Sequence, residues 1–219
     1  MSLIGKNRKV YSYNNQIRRE SNFQYKDFEK VKCYHTDFGK AIFSGASLRA
    51  AHMKFCNFNG ALFNGTEFVG TNLRGSSFKG ASFINAIFQG VVLDKTDFTG
   101  ATFENCLFIG ARTNGVKGLD CVQQGITVIN KVPAKEDLSP QLVEVIENLR
   151  ENDIIRKSHT LHGKNNSINT VYVNELMKEY SEQELIELFP HIEEHITTQF
   201  YTLSYLKVLL KKVKNSGNL

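Results

Sequence analysis

The sequence lacks any apolar run that approaches the roughly 18 residues needed to cross a membrane. Its first sixteen residues, MSLIGKNRKVYSYNNQ, also lack the apolar stretch of a secretion signal. These absences predict a cytoplasmic protein without a membrane span. The chain has 219 residues, of which 41% are hydrophobic, so it is long enough for one or two domains with a core.

Cysteines are few and are not arranged as metal ligands. The four are Cys33, Cys56, Cys106 and Cys121, and none shows the paired spacing of a zinc site. Each falls at a position that the repeat described below assigns to the interior. We therefore expect reduced, buried thiols and predict no cofactor.

Motifs of catalysis are missing or incomplete. Residues 191–195 read HIEEH, which matches the zinc-protease string H-x-x-E-H, but no His, Cys or acid follows as a third ligand. His191 and His195 are kept only as a weak candidate for adventitious metal binding. Residues 163–167, GKNNS, lack the upstream glycine of a phosphate-binding loop. Because no nucleophile, base and orienting acid can be assembled, we predict that the protein is not an enzyme.

What the sequence does contain is an apolar residue at every fifth position. This register runs without a break over eighteen positions from Phe23 to Phe108 and includes thirteen of the sixteen phenylalanines. A small or short-branched residue stands two places before most of these positions, and Gly or Asn often stands two places after. Gly and Asn are typical of sharp bends with positive φ. A period of five fits neither a helix nor a strand, so the chain must turn once per unit.

A second period, of twenty residues, indicates how many units close one coil. Taking every twentieth residue separates the large side chains into four columns, which begin at Phe23, Phe28, Cys33 and Phe38 and define four faces. Three columns are mostly Phe and one has none, as expected if residues twenty apart stack above one another. Four units per coil follow. The residues assigned to the structural core are Phe43, Phe58, Phe63, Phe78, Phe83, Phe98 and Phe103.

Short repeats that bury their apolar positions only by stacking on neighbours are typical of solenoids. With its unit of small-x-Phe/Leu-x-Gly, the block from residue 21 to about 115 resembles the pentapeptide repeat family. The resemblance implies a mainly β solenoid, in the form of a right-handed quadrilateral β-helix. It also implies a bacterial protein.

The chain is expected to have three parts. Residues 1–20 form a basic segment or cap with net charge +4, and residues 21–130 form the β-helix, in which Ile126 to Ile129 add a last strand over the open end. Residues 131–219 form an α-helical C-terminal domain that matches no family we recognise.

Helix signals replace the repeat from Ser139 onwards. Ser139 and Pro140 are an N-cap and first-turn pair, and residues 181–184, SEQE, form a capping box. Residues 159–169 are expected to be a polar loop. The pattern predicts four helices, of which the last begins at Pro190 and continues to Val213.

The second face of the predicted β-helix carries an apolar patch. Its residues are Val69, Ile84, Ile87, Leu107 and Ile109. We expect the helical domain to dock there. The alternative is an exposed patch used for a partner or for dimerisation.

The third face carries a basic stripe. Its charged residues are Lys32, Lys54, Arg74 and Arg112, with Tyr34 and His52 beside them and Asp94 as the only acid. Such a stripe attracts an anionic partner, either an acidic protein surface or nucleic acid. The alternative is a solvated face, which is favoured by the absence of an aromatic ladder along the stripe.

The function predicted from these features is a non-catalytic protein–protein interaction or scaffold protein, with a rigid rod and a helical tail that binds a partner or dimerises. A filled Phe core leaves no pocket for a substrate. The expected partner is a protein, with a homodimer as a further option, and nucleic acid is not expected.

Two alternatives come from the family resemblance. One is a modulator of DNA gyrase or another topoisomerase, since the quinolone-resistance type binds gyrase by imitating DNA. That imitation requires an acidic rod, and in one branch also loops that interrupt the coils. Residues 21–115 carry ten basic and seven acidic residues, a net charge of +3, in an unbroken register, which counts against it. The other alternative is a secreted bacterial effector.

Overall fold

The computed structural model describes residues 12–120, 125–163, 165 and 167–217. The repeat block winds into a β-solenoid of about five turns between residues 32 and 129, and a helical region follows. Most of the basic segment and the predicted interior position Cys121 lie outside the described residues. No helix in the described ranges has the length and apolar character needed to span a bilayer.

The solenoid is built from very short parallel strands. These are β1 (Lys32–Tyr34), β2 (His52–Lys54), β3 (Leu62–Asn64), β4 (Glu67–Val69), β5 (Ser82–Ile84), β6 (Ile87–Gln89), β7 (Thr102–Glu104), β8 (Cys106–Ile109) and β9 (Ile126–Ile129). They form three parallel sheets, with the orders β1-β2, β3-β5-β7 and β4-β6-β8-β9.

Every strand pair joins residues twenty apart, which confirms the predicted coil of four units. Phe63 pairs with Phe83, and Phe83 with Phe103. The three sheets occupy the first, second and third faces, while single bridges such as Asp37 to Asn57 make the fourth. The predicted last strand is present as β9, which pairs with β8 on the second face.

Stacked phenylalanine rings fill the interior. The centroids of the Phe63 and Phe83 rings are 4.8 Å apart with the ring planes 5° from parallel, and those of Phe58 and Phe78 are 4.8 Å apart and 7° from parallel. Of the seven residues assigned to the core, six have no exposed surface and Phe103 is 8% exposed. Phe103 lies close to the last coil, where less chain covers it.

Hydroxyl groups at the small positions stabilise the stacking of coils. The Thr66, Thr71 and Ser76 hydroxyls donate to carbonyl oxygens of the preceding coil at 2.7–2.8 Å. All three residues are buried, so these bonds satisfy groups that no water reaches. The repeat therefore accepts Thr and Ser as well as Ala at this position.

The helical region contains five α-helices within the described residues. They are α1 (Pro140–Asn148), α2 (Asp153–Ser158), α3 (Thr170–Met177), α4 (Glu182–Leu188) and α5 (Leu203–Asn215). The predicted helix starts are present, since the Ser139 hydroxyl accepts from the Leu142 N–H and Ser181 forms a capping box with Glu184. The expected number of four helices is wrong, because the sequence pattern did not predict α2.

The predicted single helix from Pro190 to Val213 is also wrong. The chain instead forms a 3-10 helix over Phe189–His195, runs irregularly to Thr202 and begins α5 at Leu203. The Leu203 N–H donates to the Glu67 carboxylate of the solenoid. In a continuous helix that N–H would bond to a carbonyl one turn earlier, so the contact with the solenoid favours the break.

Candidate functional site

The helical region packs on the second face of the solenoid. Ile87, Leu107 and Ile109 are buried in a core that they share with residues of α1, α3, α4 and α5. Val69 and Ile84, the other two residues of the apolar patch, are half-buried. The helices therefore lie over this face and cover its apolar residues.

At the edge of the junction between the helical region and the second face, α5 closely approaches a corner of the solenoid. The Ser204 hydroxyl donates to the Gly65 carbonyl oxygen at 3.1 Å. Gly65 has a φ of +62°, and a Cβ at this position would lie only 2.5 Å from the Ser204 Oγ. Glycine suits this position because it adopts the turn without strain and leaves room for Ser204.

Glu67 is the polar centre of the junction. Its side chain is 1% exposed, and its Oε1 accepts from the Leu203 N–H at 2.6 Å. Its Oε2 has no hydrogen-bond partner in the described part of the chain and lies 3.9 Å from the Arg49 guanidinium. Burial raises the pKa of Glu67 to about 7, although the Leu203 N–H and the Arg49 charge act to lower it. No feature of the sequence pattern predicts this buried carboxylate.

The basic stripe lies on the third face, which adjoins the second face at a corner of the solenoid. Lys32 and Arg74 are exposed, and the Lys54 Nζ lies 5.3 Å from the centre of the Tyr34 ring, within range of a cation–π contact. Arg112 pairs with Asp94 at 3.0 Å, so the one acid of the face is engaged by the last base of the stripe. The positive charges that Asp94 does not neutralise, on Lys32, Lys54 and Arg74, therefore lie in the N-terminal coils.

Two aromatic rings border the stripe at the corner between the third and fourth faces. His35 and Phe55, which we call the corner pair, stack with centroids 5.3 Å apart and planes 11° from parallel. Neither ring flanks the five-residue register on a face, since both stand at corner positions, so the pair does not belong to the outward residues of the stripe. Phe55 is 49% exposed, so the pair presents an apolar surface beside the cations.

The backbone of the corner pair is unusual for aromatic residues. His35 has a φ of 52° and Phe55 a φ of 58°, a region in which glycine or asparagine is preferred. The Phe55 ring lies over Gly75 in the next coil, where a Cβ would approach it to 2.6 Å. The same conformation occurs at the corners occupied by Tyr25 and Ala50, so it belongs to the repeat, and what distinguishes this corner is an exposed ring beside the cations.

The two histidines of the candidate metal string do not lie on one helix face. His191 and His195 belong to a 3-10 helix, in which residues four apart do not share a face. The His191 Nδ1 lies 3.4 Å from Glu194. Within the described ranges no three His, Cys, Asp or Glu side chains come together as metal ligands.

The described cysteines are buried and unreactive. Cys33, Cys56 and Cys106 are free thiols inside the solenoid. Burial raises the pKa of Cys33 to about 12 and that of Cys56 to about 11. Because the thiolate is the nucleophile, these side chains are not poised for covalent chemistry.

Family models identify the repeat block. One model of pentapeptide repeats, eight copies long, matches residues 27–65 and 41–80, and a second, nine copies long, matches residues 63–117. These segments carry the five-residue register and the stacked phenylalanines described above. Residues 27–117 belong to the pentapeptide repeat family.

Solved pentapeptide repeat proteins are similar to parts of the chain. A protein from the Arabidopsis thaliana thylakoid lumen is 26% identical over 59% of this chain and 77% of its own, with a TM-score of 0.33. HetL, involved in heterocyst differentiation regulation in the cyanobacterium Nostoc sp. strain PCC 7120, is 14% identical over 45% of this chain, with a TM-score of 0.28. The match spans 46% of HetL.

A third similar structure is trypsin-treated QnrB1, a plasmid-mediated fluoroquinolone resistance protein. It is 16% identical over 54% of this chain and 89% of its own, with a TM-score of 0.25. No functionally curated protein matches the sequence.

Proposed function

We propose that the protein is a non-catalytic protein-binding module in which the solenoid, residues 21–130, and the helical domain, residues 131–219, form one scaffold. Its partner surface is the N-terminal part of the basic stripe, with Lys54 and Arg74, together with the corner pair. The helical domain reinforces the solenoid from the second face, since its apolar residues are buried against that face and against each other.

The observation that carries this proposal is the exposed corner pair beside Lys54 and Arg74 of the basic stripe. An exposed aromatic ring contributes contact area, and cations fix the orientation of an anionic partner. We expect the partner to be a protein segment that carries acidic residues next to an apolar side chain. The apolar side chain packs on Phe55, and the acidic residues pair with Lys54 and Arg74.

The surroundings favour an acidic protein segment over nucleic acid. Asp37 and Asp97 lie on the adjacent fourth face, where Arg19 and Lys79 pair with them at 2.7 and 3.3 Å, so their charges do not separate the two classes of partner. Binding of single strands uses successive aromatic platforms, whereas this surface offers a single stacked pair.

The test is affinity capture by the full chain from a lysate of the source cells, with quantitative mass spectrometry. The double variant Lys54→Glu/Arg74→Glu removes the cations beside the corner pair. The matched control, Lys95→Glu/Lys117→Glu, makes the same change in net charge at exposed sites in the C-terminal coils.

We expect the control to retain the captured protein and the first variant to lose it by about tenfold or more, which corresponds to about 1.4 kcal/mol. Circular dichroism confirms that both variants are folded. Equal capture by the two variants contradicts the proposed surface. Loss of a bound nucleic acid instead of a protein contradicts the choice of partner.

A further inference from the structure

Glu67 is the only Asp, Glu, Lys or Arg among the described residues whose side chain is fully buried. It projects from β4 on the second face to the start of α5, where its Oε1 accepts from the Leu203 N–H at 2.6 Å. The contact joins the solenoid to the helical domain across 136 residues of chain. It is therefore a contact that exists only while the two parts are together.

The rest of this carboxyl group is poorly satisfied. In the described part of the chain, its Oε2 has no hydrogen-bond partner at normal distance, and neither does the buried hydroxyl of Tyr172 on α3. That hydroxyl is near enough to lower the pKa of Glu67, but burial has the larger effect and raises it. The Arg49 guanidinium is 3.9 Å away, too far for a hydrogen bond. A protonated carboxyl group loses little free energy of hydration in such a site. An ionised carboxylate loses much more, and the hydrogen bonds around it do not fully replace its hydration.

We propose that the junction between the solenoid and the helical domain is a proton-controlled latch, which holds tightly when Glu67 is protonated and is weakened when Glu67 is ionised. This inference goes beyond the proposed binding function and involves a different face. Opening of the latch uncovers the apolar side chains of Ile87, Leu107 and Ile109 on the second face.

The direction of the effect follows from linkage. Burial is the largest cause that raises the pKa of Glu67 from 4.5 to about 7 in the closed state. A group whose pKa is raised by closing binds its proton more tightly in the closed state. The closed state is therefore most favoured below pH 4.5, loses stability as the pH rises from there to about 7, and remains weakest above that.

Other charged or titratable groups face this site from each element around it. They are Arg49 on the solenoid, Tyr172 on α3, Lys207 and Lys211 on α5, Glu179 after α3, and His159 near Arg49, Asp27 and Glu29. Burial raises the pKa of Tyr172 well above its ordinary value, so it stays neutral. Burial lowers the pKa of His159, which favours the closed state at higher pH and opposes the effect of Glu67.

The first measurement is a carbon-13 NMR titration of the glutamate side-chain carboxyls in the intact protein. We expect the Glu67 signal, assigned by its absence in Glu67→Gln, to titrate with a midpoint near pH 7. A midpoint near the ordinary value of 4.5 overturns the proposal. This measurement needs only the wild-type fold, with the variant used for assignment.

The second measurement is hydrogen exchange of peptides covering residues 197–206, with labelling times scaled to the intrinsic exchange rate at each pH. We expect protection in the wild type to fall between pH 5 and pH 8 by on the order of 100-fold, from the difference between the two pKa values. Glu67→Gln is isosteric and uncharged, and we expect it to keep its protection.

The matched control is Glu104→Gln, an exposed glutamate on β7, which should behave as the wild type. If Glu67→Gln loses protection with pH as steeply as the wild type, another group controls the junction and the proposal is wrong. The difference between wild type and Glu67→Gln also separates the Glu67 contribution from the opposing one of His159.

Discussion

The solenoid and the helical domain are stabilised in different ways. In the solenoid most phenylalanines of the register stack on the equivalent ring of a neighbouring coil, as Phe63 does on Phe43 and Phe83. In the helical domain the buried residues belong to several helices of different length and share their core with the second face. The solenoid is therefore stabilised by repetition, and the helical domain by contacts particular to this chain.

This difference predicts where substitutions have the largest effect. A change inside the solenoid removes contacts to both neighbouring coils, whereas a change at the junction affects only one interface. A change on an outer corner removes only exposed contacts with the corners of neighbouring coils. Three substitutions, one for each place, order these effects from the largest to the smallest.

The largest effect is expected inside the solenoid. Phe63→Ala removes a ring that stacks on Phe43 at 5.2 Å and on Phe83 at 4.8 Å, and leaves a cavity that rigid coils cannot close. We expect a loss of about 3–5 kcal/mol in the free energy of unfolding, measured by urea denaturation. The neighbouring Asn64 is exposed, and Asn64→Ala should cost less than about 0.5 kcal/mol. Similar small losses for both variants contradict the solid core.

An intermediate effect is expected at the junction. Gly65→Ala places a methyl group against Ser204, while Gly80→Ala has the same backbone conformation, with a φ of +63°, and nothing within 4 Å. Both variants bear the cost of a left-handed alanine, roughly 1 kcal/mol. We expect Gly65→Ala to cost about 1 kcal/mol more in urea denaturation, because the Ser204 contact must move. Equal costs for the two variants indicate that the junction accommodates the added methyl group without loss of stability.

The five-residue register was sufficient to predict the solenoid, since both of its periods follow directly from where Phe occurs. The helical domain was less predictable because its boundaries depend on the solenoid. Thr202 caps α5, but the first residue of that helix, Leu203, also donates to Glu67, which is 136 residues away in sequence. No local pattern in residues 190–213 reveals that contact.

The candidate surfaces were predictable only in part, for a related reason. Counting outward positions identified Lys54 and Arg74 on the third face, because strands alternate between inside and outside. The pattern predicts only turns at the corner positions, so it gives no expectation for the aromatic residues His35 and Phe55 there. A signal was available in the sequence, since a bulky ring stands at a corner where Gly or Asn is usual. The burial of Glu67 had no such signal.

The smallest effect on stability is expected at the outer corner. Phe55→Asn replaces an exposed ring in a left-handed conformation with a residue that tolerates it. The relief of backbone strain offsets the lost contacts with His35 and Gly75, so urea denaturation should change by less than about 0.5 kcal/mol in either direction. Capture of the protein partner should nevertheless decrease, because the apolar part of the surface is gone. A loss of stability similar to that of Phe63→Ala shows instead that the ring is structural, and removes the main support for a binding surface at this corner.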